Sequence, residues 1–182
     1  MKTLITAIVL ASAAASSQAG TIVNGDFSND FAGWTVAGDV INTQNQALLT
    51  AFGQISQNQT WTAGEQLSFD WFFQGMDYYP FNDWSVFQVQ DALGNIISDF
   101  TLADVASVET YGDSGWQTFH YTFNNAGSGS INFAVYNDID DNYSSLLMVD
   151  NVKSASVPEP TSLLIMGLGL FGLGFSRKRA AK

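Results

Sequence analysis

Cysteine is absent from the 182-residue chain, and histidine occurs once. Without cysteine the chain cannot supply a thiol nucleophile or a cysteine-ligated zinc site. His120 lies between Thr118 and Thr122 on the polar face of a predicted strand, which favours a surface histidine over a catalytic base. The chain also contains neither a G-x-S-x-G nor an H-E-x-x-H motif. The sequence therefore predicts a non-enzymatic protein without catalytic residues.

Basic residues are scarce and unevenly placed. The chain has 6 Lys and Arg residues against 17 Asp and Glu residues. Five of the basic residues lie near the two ends, so residues 20–156 combine 16 acidic residues with Lys153 alone, a formal charge of −15. Such a surface repels nucleic acid and anionic lipid, which are bound through Lys and Arg. Nucleic-acid binding is excluded on this ground.

The N-terminus has the three parts of a secretory signal. Lys2 provides the positive charge, and residues 4–15 are a run of small and aliphatic residues. Small residues then occupy the positions that signal peptidase reads, ending at Ala19. The run is not amphipathic, which argues against a buried helix of the fold. We expect a signal helix over residues 1–19 and cleavage between Ala19 and Gly20.

The C-terminus contains a short uncharged run over residues 161–176, followed by a basic cluster. As a helix, these residues would span roughly 24 Å, less than the hydrocarbon core of about 30 Å. Glycines at four positions of the run weaken its helix propensity further: Gly167, Gly169, Gly172 and Gly174. The segment therefore predicts a single hydrophobic helix that pauses in a membrane rather than a permanent anchor.

The order of parts in this segment is specific. A Pro-Glu-Pro turn precedes the apolar run and basic residues follow it: Val157, Pro158, Glu159, Pro160, then Arg177, Lys178 and Arg179. Residues 157–182 thereby resemble the PEP-CTERM sorting signal of Gram-negative bacteria. The resemblance implies cleavage by an exosortase, a membrane transpeptidase-like enzyme with a cysteine nucleophile. It also implies membrane contact before processing, and delivery to the cell surface or extracellular matrix of bacteria that export exopolysaccharide and form biofilm.

Residues 20–156, between the two signals, form one predicted domain with strand periodicity. Apolar and polar residues alternate over 67–73, 118–123 and 131–135, which is typical of half-buried antiparallel strands. Further strands are predicted at 34–41, 46–52, 54–61, 84–90, 95–101 and 145–152, separated by turns such as 124–130. The pattern predicts an all-β domain, an antiparallel jelly-roll β-sandwich.

Three stretches support this fold: NGDFSNDFAGWTVAGDV (24–40), WQTFHYTF (116–123) and LLMVDNV (146–152). They resemble the opening, penultimate and closing strands of galactose-binding-like jelly rolls, a group that includes carbohydrate-binding modules. Members of this group often hold a structural calcium ion where the first and last strands meet. The resemblance implies that Asp26 and Asp150 are the matching positions. Capping of backbone N–H groups is the alternative role for both carboxylates.

A second calcium hypothesis comes from the residues alone. Asp138, Asp140 and Asn142 place oxygen ligands at alternate positions, as a calcium loop does. Tyr143 and Val149 stand where an EF-hand requires a glycine and a glutamate, so an EF-hand is excluded. A polar hairpin without metal is the alternative.

Aromatic residues gather in the stretch GMDYYPFNDWSVF (75–87). Sugar binding needs aromatic faces for the apolar side of a pyranose, with amides or carboxylates for its hydroxyls. The candidate sugar-binding residues are therefore Tyr78, Tyr79, Asp83 and Trp84. The alternative is that the aromatic side chains close one end of the sandwich.

These observations predict an exported, exosortase-processed, non-enzymatic surface or matrix protein that binds or associates with exopolysaccharide. The alternative is a structural or adhesive surface protein without a sugar site, and a hydrolase is a third, remoter option.

Overall fold

The computed structural model describes residues 20–155. The predicted signal helix, the Pro-Glu-Pro motif and the predicted hydrophobic helix lie outside these residues. Eight strands and one short helix make up the described region: β1 Thr35–Thr43, β2 Gln46–Trp61, β3 Gln66–Gln74, β4 Trp84–Asp91, β5 Ile96–Asp104, α1 Val105–Val108, β6 Gln117–Thr122, β7 Gly127–Tyr136 and β8 Leu146–Ala155. Between residues 20 and 155, no helix has both the length and the apolar character needed to cross a membrane.

The strands form one curled antiparallel sheet in the order β5-β4-β7-β2-β8-β3-β6, with β1 also paired to β2. The long strand β2 is what joins the two layers. Its residues 54–61 pair with β7, and its residues 47–50 pair with β8. We call β5, β4, β7 and the second half of β2 the first sheet, and the first half of β2, β8, β3 and β6 the second sheet.

The core lies between these two sheets, where alternate side chains of each strand meet. The ring of Phe69 on β3 lies 4.9 Å from Phe87 on β4 and 4.7 Å from Phe133 on β7, measured between ring centroids. The segment before β1 completes the core, because Phe27 is fully buried and its ring centroid lies 5.3 Å from that of Trp34. Side chains of opposite parity on the same strands face away from the core.

A bend in β2 lets one strand serve both sheets. Residues 51–53 of β2 lie opposite Gly38 of β1, and the pairing register shifts there. Ala51 and Phe52 have φ values of 44° and 65°, and Gly38 has 69°. A Cβ atom on Gly38 would lie 2.5 Å from the carbonyl oxygen of Phe52. Glycine is therefore required at position 38 because of its positive φ and because β1 and β2 approach each other closely there.

The predicted fold class is confirmed, and the predicted strands correspond to the observed ones with three differences. Strands predicted at 46–52 and 54–61 are the two halves of β2, because the bend does not interrupt its pairing with β1. Helix α1 was not predicted, since its four residues carry no helical periodicity. The predicted turn over 124–130 ends earlier, since β7 begins at Gly127, which packs against the indole of Trp61.

Replacing Gly38 with alanine tests the bend. We expect Gly38→Ala to lower the free energy of unfolding by more than about 1 kcal/mol, because alanine meets both positive φ and the Phe52 carbonyl. Gly64→Ala is the matched control, since Gly64 has φ 83° but open space where a Cβ would lie. Urea denaturation of both variants measures the difference. An equal loss in the two would show that close approach at Gly38 contributes nothing.

Candidate functional site

Asp83, a predicted sugar contact, is instead a buried structural residue. Its side chain has no exposed surface, and its carboxylate accepts three hydrogen bonds. The donors are the backbone N–H of Asp138 at 2.9 Å, the backbone N–H of Ser145 at 3.0 Å and the hydroxyl of Ser145 at 2.8 Å. These bonds tie the β3–β4 loop to the β7–β8 loop. The carboxylate is therefore occupied within the protein and cannot contact a ligand in this conformation.

The other three predicted sugar-binding residues do not form one cluster with it. Tyr79 is 81% exposed at the tip of the β3–β4 loop. Tyr78 lies edge-on to Phe81 at 5.3 Å and 6.2 Å from Tyr111. Trp84 begins β4 and packs on the next strand rather than on these loops. The tyrosines thus decorate one end of the sandwich, and Trp84 belongs to the outer face of the first sheet.

Trp84 is part of an aromatic row that crosses three strands of the first sheet. Its ring lies 5.3 Å from that of Tyr136 on β7, which lies 6.4 Å from that of Phe52 on β2. Trp84 and Tyr136 are directly paired in the β4–β7 register. We name Trp84, Tyr136 and Phe52 the aromatic row. Such a row presents apolar ring surface at one end of the sheet's outer face.

Amides and hydroxyls continue this face along the strands. The core takes Phe87 and Val89 from β4, so the alternate residues Gln88 and Gln90 point outwards. In the register, Gln88 pairs with Asn132 and Asn132 with Ser56. The alternate residues of β2 and β7 in register with them point outwards as well. We name this set the amide face: Gln54, Ser56, Asn58, Gln88, Gln90, Ser130 and Asn132. Val86 and Ala134 separate it from the aromatic row.

The hydrogen bonds on this face are mostly local. Gln88 donates to the carboxylate of Asp99 on β5 at 3.2 Å, and Asn132 donates to the hydroxyl of Ser130 at 3.0 Å. Trp84 and Gln90 are six positions apart on β4, a distance of about 20 Å along an extended strand. The surface therefore combines ring faces with neutral donors and acceptors over the length of several sugar units.

The sequence predicted Trp84 as a sugar contact, and that stays a prediction; it did not predict Tyr136 or the amide face. The signal was present in part, since Gln88, Gln90 and Asn132 occupy polar positions of two predicted strands, whereas Ser130 falls in the predicted turn. What the sequence could not supply was the pairing of β4 with β7, two strands that lie about 45 residues apart along the chain. Pairing brings these positions onto one surface.

The structure brings together the opening and closing segments that carry Asp26 and Asp150. The backbone N–H of Val152 donates to the carbonyl of Gly25 at 2.8 Å. Asp26 accepts hydrogen bonds from the backbone and hydroxyl of Ser28, at 3.3 and 3.0 Å. These bonds are the largest cause of a lowered pKa at Asp26. Burial, together with the negative charges of Asp70 and Asp26, raises the pKa of Asp150.

Asp138 and Asp140 form hydrogen bonds within the β7–β8 loop. The backbone N–H of Asp140 donates to the carbonyl of Asp138, and the carboxylate of Asp140 accepts the N–H of Asn142, both at 2.8 Å. Across residues 20–155, no group of three or more acidic or histidine side chains is arranged to hold a metal ion. The calcium hypothesis for Asp26, Asp150, Asp138 and Asp140 stays a prediction.

A cleft of about 580 Å³ lies beside the opening segment and the end of β2. Gln57 in its wall is buried, and its side chain accepts from the backbone N–H of Val23 at 2.9 Å and donates to the Val23 carbonyl at 2.8 Å. The amide thus holds the opening segment in place. We assign this cleft to the packing of residues 20–33 rather than to a ligand.

Comparison with protein families identifies the C-terminal segment. Residues 156–179 match the PEP-CTERM protein-sorting motif, which confirms the resemblance seen in the sequence. The motif implies export, a transit stage anchored in the membrane by the C-terminus, and processing by an exosortase. No curated protein matches the chain.

Comparison with solved structures identifies the fold of the domain. TmCBM61, solved in complex with β-1,4-galactotriose, superposes with a TM-score of 0.50 at 15% sequence identity, covering 76% of this chain and 99% of that one. The K3 adhesin domain of Lys-gingipain from Porphyromonas gingivalis W83 gives a TM-score of 0.47 at 13% identity over 75% of this chain and 99% of that one. A family 16 carbohydrate-binding module gives 0.43 at 16% identity over 74% and 99%. The likeness to TmCBM61 shows that the domain has a jelly-roll fold.

Asp83→Ala tests the junction between the two loops. The substitution leaves two backbone N–H groups and the Ser145 hydroxyl without their acceptor. We therefore expect the free energy of unfolding to fall by about 3 kcal/mol or more. Thermal melting measures the loss, with the exposed Asp141→Ala as control. Similar melting temperatures for Asp83→Ala and the wild type would contradict the assigned role.

Asp150→Asn tests whether burial and the neighbouring carboxylates disfavour the charged form of Asp150. The folded-state pKa of Asp150 lies above the ordinary value of 3.8, so its ionisation weakens the fold as pH rises through that value. We expect Asp150→Asn to melt at a higher temperature than the wild type near about pH 7, and the gain to vanish near about pH 3.

Asp91→Asn is the matched control, for which we expect the opposite change in melting temperature. Hydrogen bonds from the side chain and backbone of Asn95 hold the pKa of Asp91 below 3.8. Its stabilising contribution is present at neutral pH and is lost as pH falls through the folded-state value. The control should therefore melt below the wild type near about pH 7. A lower melting temperature for Asp150→Asn at that pH would show that the charged form of Asp150 does not weaken the fold.

Proposed function

We propose that the protein is an exported surface or extracellular-matrix protein whose β-sandwich binds an uncharged exopolysaccharide on the amide face, without cleaving it. The observation that carries this proposal is the continuity of the aromatic row with the amide face, in register across β4, β7 and β2. Export follows from the sorting motif, and the fold is one that carbohydrate-binding modules use.

The composition of this face supports a sugar ligand. Aromatic rings bind the apolar face of a pyranose, and amides both donate to and accept from its hydroxyls. Trp84 and Tyr136 supply the rings, and the half-buried Gln88 supplies an amide at the centre of the face, where its neighbour Asn132 is buried. A long glycan lying along the strands would contact both.

The charge distribution supports an uncharged chain. Lys153 is the only Lys or Arg among residues 20–155, and it lies on β8 of the second sheet. The amide face has Asp99 at its border, hydrogen-bonded to Gln88. A glycan rich in carboxylates or sulfates would find no cation to pair with on this surface, and would meet the negative field of the domain.

Binding without cleavage agrees with the chemistry of the face. Glycoside hydrolysis uses a pair of carboxyl groups placed on either side of the scissile bond. The rows across β2, β4 and β7 carry amides and hydroxyls instead, and His120 lies exposed on β6 of the other sheet. These features favour a binding module over a hydrolase.

Gln88→Ala and Trp84→Ala test the binding surface. Each removes one class of contact, an amide or a ring, so we expect the affinity for neutral polysaccharide to fall roughly three- to ten-fold in each variant. Affinity gel electrophoresis against β-glucan, galactan and the host's own exopolysaccharide measures the change. Gln66→Ala, which removes an exposed glutamine at the start of β3, is the matched control.

Two outcomes would decide against the proposal. Unchanged affinity in folded Gln88→Ala and Trp84→Ala would place glycan binding elsewhere on the domain. A folded wild-type protein that is retarded by none of the polysaccharides would favour the structural or adhesive alternative. Circular dichroism melting of each variant confirms that the fold is intact before binding is compared.

A further inference from the structure

The outer face of the second sheet carries a separate cleft, on the side of the sandwich opposite the amide face. Its volume is about 310 Å³. Strands β2, β8, β3 and β6 each contribute to its lining: Gln46, Asp70, Trp116, Gln117, Thr118, Asp150 and Asn151. We name this set the carboxylate cleft. None of these residues belongs to the amide face or the aromatic row.

The two carboxylates of the cleft are neighbours in the sheet. Asp70 and Asp150 are directly opposite each other in the β3–β8 register, and Thr118 is opposite Asp70 on β6. Opposed like charges on adjacent strands are unfavourable unless something offsets them. A positively charged partner would relieve the repulsion between these two carboxylates.

Hydrogen bonds fix both carboxylates in position. Asp70 accepts from the hydroxyl of Thr118 at 2.7 Å and from the side-chain amide of Asn151 at 3.0 Å. Asp150 accepts from the backbone N–H of Asn151 at 2.6 Å. Asn151 has φ 53° at the point where the β3–β8 register shifts, and so reaches both carboxylates. The acidic pair is thus held in place before any ligand arrives.

An exposed aromatic ring borders the acidic pair. Trp116 is 46% exposed and lies 5.8 Å from Phe72, measured between ring centroids. Phe72 pairs with Met148, which pairs with Leu48, so an apolar row runs across three strands beside the carboxylates. Trp116 at the end of this row offers a ring face next to Asp70 and Gln117.

The domain has no Lys or Arg among the residues that line this cleft. Lys153 is its single Lys or Arg, and it lies near Asp26, whose pKa it helps to lower, after the larger effect of the Ser28 hydrogen bonds. Burial is the largest cause of the raised pKa of Asp150, and repulsion by the charges of Asp70 and Asp26 adds to it. A cationic ligand would remove this repulsion.

We propose that the carboxylate cleft binds a protonated amino sugar, with its ammonium group between Asp70 and Asp150 and its ring against Trp116. Gln46 and Gln117 supply hydrogen bonds for the hydroxyls of the sugar. The combination of a ring face with fixed carboxylates selects a ligand that is both a pyranose and a cation. This site lies on a different sheet from the amide face, so either one can exist without the other.

Calorimetry with short sugars tests this site. The probes are the glucosamine trimer, its N-acetylated form and cellotriose, titrated into the full chain at about pH 6, where carboxylates are ionised. We expect binding of the glucosamine trimer, and binding at least about ten-fold weaker for the other two. Asp150→Asn and Trp116→Ala should each lower the affinity for the glucosamine trimer by about ten-fold.

Three controls make the result decisive. Asp141→Asn removes the same charge from an exposed loop, and Gln88→Ala alters the amide face, so both should leave glucosamine binding unchanged. If Asp141→Asn weakened binding of the glucosamine trimer as much as Asp150→Asn does, the loss would come from the net charge of the domain. That result would overturn the proposed site. Equal affinity for trilysine would assign the cleft to a basic protein segment instead of a sugar. No binding of the glucosamine trimer at millimolar concentration would also overturn the proposal.

Discussion

The fold depends on a single strand that belongs to both layers. In most sandwiches the two sheets are joined by loops, but here β2 continues through the corner and pairs with β7 on one side and β8 on the other. Gly38 and the residues opposite it make that corner possible, because no Cβ fits between the two chains. The bend thereby places β7 and β8 in different layers of the sandwich.

The two candidate ligand surfaces are a consequence of the same geometry. Once alternate residues of each strand are committed to the core, the remaining positions must lie on the outer faces. On the first sheet those positions are amides and aromatic rings, and on the second they include Asp70 and Asp150. The difference in chemistry between the faces comes from the side chains alone, since the backbone scaffold is shared.

The strands could be predicted because alternation is a local property of the sequence. The role of Asp83 could not, because its carboxylate is bonded to residues 55 and 62 positions away in the chain. Trp116 likewise looked like the start of a strand, and only its contact with Phe72 on β3 shows where its ring lies. The sorting motif was readable because its parts are consecutive. The calcium positions and the attachment of the processed protein depend on partners that lie beyond the chain itself.

The back-to-back arrangement of the amide face and the carboxylate cleft has a mechanical meaning. Packed sheets lie about 10 Å apart, so ligands on opposite faces would be separated by little more than the thickness of the sandwich. A monomer that held one glycan on each face would be a non-covalent junction between two chains, and would need no self-association to serve as one. The stiffness of the surrounding gel would then scale with the amount of protein exported into it.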